Sequence, residues 1–120
     1  MDKNKKYSVL KFIQFVKEDL GINQDFKVIL TTKRSEELKT YAYYSPSDLL
    51  IKIYCKNRGL ADILRSVAHE IVHHHQNEQG ALTGDIPDIG GKIEDDANSI
   101  AGQLVKKFGY ANPKLAIYKG

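Results

Sequence analysis

The sequence predicts an α+β domain ordered helix, three strands, helix, helix, and three observations predict it. Apolar residues recur at helical spacing in three long segments, three short runs rich in strand formers lie between the first two, and glycines stand where the helical patterns stop. With 120 residues, 42% of them apolar and 28% charged, the chain has the balance of a globular domain with room for one core, read as a single domain over residues 1–120.

The first helix is expected over residues 6–20. Val9, Leu10, Ile13, Val16 and Leu20 form its stripe, Phe12 and Phe15 widen it, and Gly21 stops it. The strand-like runs are Phe26 to Thr32, Thr40 to Tyr44 and Leu49 to Cys55, read as an antiparallel three-stranded meander. Ser45-Pro46-Ser47-Asp48 is a turn signal that makes a hairpin of the second and third strands. From Leu60 to Gln79 a broad arc of Leu60, Ile63, Leu64, Val67, Ala68, Ile71 and Val72 predicts a mostly buried helix ended by Gly80. Gly80 to Gly91, glycine-rich and containing Pro87, reads as an ordered loop. The last helix begins near Ile93, carries Ala97, Ile100, Ala101, Leu104, Val105 and Phe108 on its inner face, and is expected to close at Gly109.

The chemistry is concentrated in His69-Glu70-Ile71-Val72-His73. Four residues of separation put both imidazoles on one helix face, one turn apart, within reach of one ion at roughly 2.0–2.1 Å. Glu70 projects about 100° from His69, beside such an ion, where a carboxylate can take a proton from an activated water. Unpaired buried polar groups cost about 1–3 kcal/mol each, so two imidazoles on a buried helix call for a partner. A catalytic zinc takes three protein ligands and leaves one position open, so a third ligand must come from elsewhere. Glu94, in the first turn of the last helix, is the choice. Ala97 permits close approach and Asn98, one turn on, suits a residue that holds a ligand in place. Asp95 is the fallback ligand, and acids are favoured in any first helical turn by the macrodipole.

These residues resemble the gluzincins, zinc peptidases with His-Glu-x-x-His on one helix and a glutamate on a following helix. Glu94-Asp95-Asp96-Ala97-Asn98-Ser99-Ile100-Ala101 looks like the Glu-x-x-Ala-Asn-x-Phe-Ala pattern of the ImmA/IrrE peptidases, with Ile100 in the aromatic position. The resemblance covers about residues 60 to 105 and extends to the minimal gluzincins of similar length. It implies one Zn2+ per chain held by His69, His73 and Glu94, Glu70 as general base, and hydrolysis of a peptide or protein substrate. Larger members bring an oxyanion-stabilising Tyr or His from a second domain. Here Tyr110, Tyr44, Tyr54, His74 and His75 are the local candidates, each equally suited to packing or surface. The run Leu49 to Tyr54 is a further candidate, as a strand on which a peptide could pair.

The alternative reading is a zinc-binding structural or regulatory domain that does not cleave, and nothing in the residues decides whether a cell, a phage or a mobile element carries it. The lone Cys55 excludes an internal disulfide and reads as a buried thiol. A formal charge of +3 with lysines near the termini gives no expectation of nucleic-acid binding. Lys11, Gln14, Lys17 and Glu18 break any secretory core in the first segment, so the expectation is a cytoplasmic, membrane-free protein of undetermined oligomeric state.

Overall fold

The computed structural model describes residues 3–33, 41–80 and 91–119. The order is α1 (Lys3–Leu20), β1 (Lys27–Thr31), β2 (Ala42–Ser45), β3 (Leu50–Tyr54), α2 (Leu60–Glu78) and α3 (Lys92–Ala111), followed by 3-10 turns at Pro113–Leu115 and Ile117–Lys119. The predicted loop between α2 and α3 falls on residues 81–90, and the predicted start of the second strand at Thr40 falls in 34–40; both lie outside the described residues.

α1 starts three residues earlier than the stripe suggested and buries Ser8, Val9, Phe12 and Val16, while Leu10 is 56% exposed. The inner face therefore centres on Phe12, whose ring meets Phe108 of α3 edge-on at 5.1 Å. Gly21 at φ +66° ends the helix, with Ile22 N–H bonded to Lys17 C=O and Gly21 N–H to Glu18 C=O, a Schellman ending. Phe12→Ala is expected to cost about 3–5 kcal/mol, read as a lowered midpoint in chemical denaturation, because the ring is fully buried between two helices.

The sheet corrects the expected antiparallel meander. Its order is β1-β3-β2: β2 runs antiparallel to β3, as the hairpin signal requires, but β1 pairs with β3 in parallel, Lys27 opposite Leu50 and Thr31 opposite Tyr54. The reason is visible in the connections. Pro46-Ser47-Asp48 closes the β2–β3 hairpin, with Ser45 Oγ accepting from Asp48 N–H, whereas the sequence 32–41 carries none of the Gly, Pro, Asn or Asp that favour a tight hairpin turn. Among the described strands β3 alone has fully buried side chains, Ile51 and Ile53, and it takes the centre.

α2 packs against β2, β3, α1 and α3, with Ile63, Leu64, Val67, Ala68 and Ile71 all buried. Arg58 fastens its start to the sheet by donating to Tyr54 C=O (2.7 Å), the Asp62 carboxylate (2.8 Å), Asp62 C=O and Ser66 Oγ (2.6 Å). α3 lays Ala97 and Ala101, both fully buried, in the core. Gly109 does not close α3, which runs on to Ala111; a Cβ there would meet the Tyr118 ring at 3.2 Å, so glycine admits the C-terminal turn. Cys55 is a buried free thiol pushed up in pKa by burial. No described helix is long and apolar enough to cross a membrane.

Candidate metal centre

α2 carries His69 and His73 one turn apart, and α3 brings Glu94 from its first turn to the same point. His73 Nε2 lies 2.8 Å from Glu94 Oε1, His69 Nε2 lies 3.1 Å from Glu94 Oε2, and the two Nε2 atoms are 3.1 Å apart. These separations approach the roughly 3.3 Å that tetrahedral ligands with 2.0–2.1 Å bonds impose on one another. One ligand atom from each residue lies within 4.8 Å of the others, so His69, His73 and Glu94 form a group able to hold a metal ion. Asp95, the fallback, is exposed and outside the group.

The proton inventory tests the fit. Gln76 donates from Nε2 to Ile93 C=O (3.3 Å), which turns its Oε1 toward His73 Nδ1 at 2.8 Å. An amide oxygen accepts, so His73 Nδ1 carries the hydrogen and in the neutral ring Nε2 presents a lone pair. That lone pair, a second imidazole nitrogen and a carboxylate converge on one point, an arrangement that a cation between them stabilises. The residues fit a zinc ion by donor type, number and spacing.

The electrostatics follow from burial. His69 is lowered in pKa, first by desolvation and then by His73, while Glu94 and hydrogen bonds from Glu94 and Asn98 work against the shift. Asn98 lines the same cleft as His69 and stands on α3, the element that also supplies Glu94. Glu70, 8% exposed, is pushed up to about 8 by desolvation and then by the Glu94 charge. A bound cation acts on a carboxylate in the opposite sense.

Beside the cluster opens a cleft of about 260 Å3 lined by Tyr41, Ala42, Asp62, Arg65, Ser66, His69, Glu70 and Asn98. The five oxyanion candidates stand apart from it. Tyr44 and His74 form a closed buried chain: Asn77 Nδ2 donates to the Tyr44 hydroxyl (3.1 Å), which donates to His74 Nδ1 (2.9 Å), and His74 Nε2 donates to Gln24 C=O (2.7 Å). Tyr110 is 77% exposed, sixteen residues along α3 from Glu94, about 24 Å away at helical rise. Tyr54 stacks on Tyr41 at 6.3 Å, and His75 has a buried Nδ1 with no partner among the described residues.

The expected peptide-pairing strand needs correction as well. β3 is hydrogen-bonded on both edges, so the run Leu49 to Tyr54 has no edge to offer; the strand that reaches the cleft is β2, through Ala42. The sequence reading missed Gln76, Arg65 and Ser66. Gln76 stands three residues after His73, a spacing that places it on the same helix side, and Ser66 and Arg65 stand one turn before the motif. No protein-family model, no curated protein and no solved structure matches the chain.

Proposed function

We propose that this protein is a zinc-dependent peptidase of gluzincin type, with His69, His73 and Glu94 as ligands and Glu70 as general base. The observation that carries the reading is the convergence of His69 Nε2, His73 Nε2 and the Glu94 carboxylate beside a cleft that Glu70 also lines. Zinc held there supplies a Lewis acid and lowers the pKa of a coordinated water toward 7. The chain's own residues do the rest. Glu70 takes the proton of the attacking water and returns it to the leaving amine; burial raises its carboxyl and a cation beside it would lower it again, back to the ionised form that a base requires. Asn98 lies beside His69 in the cleft, Ala42 and Tyr41 wall it on the β2 side, and Arg65 and Ser66 offer polar groups to a peptide backbone. The substrate is a peptide or protein segment in extended form, and the protein works as a soluble cytoplasmic enzyme.

A second reading, a zinc domain that binds without cleaving, is favoured by one observation: among the described residues, none of the five expected Tyr and His donors lines the cleft. Elemental analysis and a peptide-library digest separate the two. About one zinc per chain together with cleavage supports the peptidase; zinc without cleavage selects the second reading, and no zinc overturns both. Arg65→Ala is expected to raise KM roughly 10-fold, by loss of charge-assisted hydrogen bonds to substrate, with zinc content unchanged, as steady-state kinetics and metal analysis would show.

A further inference from the structure

We infer that Gln76 is a positioning residue for the metal centre: it fixes the His73 ring so that Nε2, and not Nδ1, faces the ligand site, and ties that ring to the start of the helix that brings Glu94. The inference deepens the zinc reading and rests on it.

The geometry leaves little freedom. Imidazole has two tautomers, and a histidine ligand must present a lone pair to the ion while its other nitrogen carries hydrogen. The His73 side chain is 6% exposed, so water is not the group that decides which nitrogen is protonated. Its Nδ1 partner is Gln76 Oε1 at 2.8 Å. An amide presents either its oxygen or its NH2, and only the donation from Gln76 Nε2 to Ile93 C=O, 3.3 Å away, selects the oxygen. A backbone carbonyl of α3 therefore sets the amide, the amide holds a hydrogen on Nδ1, and Nε2 is left facing the ligand site, where an ion between it and Glu94 takes its lone pair. Because Ile93 is the residue before Glu94, the same side chain bridges one ligand to the backbone beside another. Partners of this kind change metal affinity by about 10–100-fold.

Two variants separate positioning from a general structural role. Gln76→Met keeps length and removes both bonds, whereas Gln76→Glu keeps an acceptor for Nδ1–H and removes the donation to Ile93. The zinc Kd, from competition with a chromophoric chelator, is expected to rise about 10–100-fold in Gln76→Met and to return to within several-fold of wild type in Gln76→Glu. The visible spectrum of the Co2+-loaded protein should change in Gln76→Met and resemble wild type in Gln76→Glu. Long-range 1H–15N correlation on the zinc-loaded wild type should show His73 protonated at Nδ1 with Nε2 on the ion, and that preference should weaken in Gln76→Met with the fold retained by circular dichroism. Wild type that binds zinc, with an unchanged Kd and His73 tautomer in folded Gln76→Met, overturns this inference alone. A Gln76→Met protein that does not fold shifts the decision to Gln76→Glu and the wild-type tautomer, where His73 protonated at Nε2 overturns it. Wild type that binds no zinc overturns the proposed function itself.

Discussion

Glu70→Gln is expected to retain zinc at wild-type stoichiometry and to cleave peptides about 10²–10⁴-fold more slowly, the usual range for removal of a general base. Gln keeps the volume of the buried side chain, which is 8% exposed, and cannot accept the proton. Quantitative mass spectrometry of a library digest, with metal content measured on the same samples, checks it; equal cleavage by both proteins removes Glu70 from the mechanism. The same variant makes a second, oppositely directed prediction for the metal-free protein. The folded-state pKa of Glu70 is raised to about 8, first by desolvation, so the folded chain holds this proton more tightly than the unfolded one. Its contribution to stability is fully present below about pH 4.5, declines as pH rises, and is lost above pH 8. Glu70→Gln has no such loss. In excess chelator it should be the more stable protein at pH 9, by about 5 kcal/mol at most, and the gap should close toward pH 4. His69, lowered by burial, contributes the opposite slope around its own pKa, but both proteins share it and it drops out of the difference.

Metal removal is the second large effect. A ligand that binds the folded state at about 100 times its Kd adds about 2.7 kcal/mol, and for a domain of this size each kcal/mol moves Tm by about 4 °C. Chelation of the zinc-loaded protein is therefore expected to lower Tm by roughly 10 °C. Glu94→Ala should show a much smaller difference with and without chelator, because one of the three convergent groups is gone. Differential scanning calorimetry at fixed zinc activity measures both. Identical chelator sensitivity in wild type and Glu94→Ala would place the ion elsewhere.

The parts of this molecule that were legible in sequence are those set by local spacing. His69 and His73 share a face because four residues make one turn, and Glu94 heads a helix whose small Ala97 and Ala101 allow close approach to its neighbours. The β2–β3 hairpin followed from Pro46 and Asp48 in the same way. What escaped depends on where distant segments meet. The parallel pairing of β1 with β3 is a choice among partners that no strand declares by itself, although the absence of turn residues in 32–41 argued against a hairpin there. Gln76 reads as an ordinary polar residue near a helix end until Ile93 is known to lie beside it. Tyr44 and His74, thirty residues apart, read as two independent polar groups, yet each is the other's hydrogen-bond partner in the core. The sequence offers donors and acceptors freely, but which of them satisfy one another is decided by packing.

The three candidate ligands come from two helices with a glycine-rich stretch between them in sequence, so an ion held there would have a role in chain assembly separate from any chemistry. His73 and Glu94 are 21 positions apart, so a metal gripping both would act as a reversible clasp on the chain between them. It restricts the unfolded ensemble only where the ion stays attached there, and otherwise rewards the docked state alone. α2 contacts β2 and β3 directly, whereas α3 docks chiefly on α2. The step that the ion favours is the docking of α3, so metal scarcity should first release the C-terminal third of the chain, leaving the N-terminal helix and sheet in place.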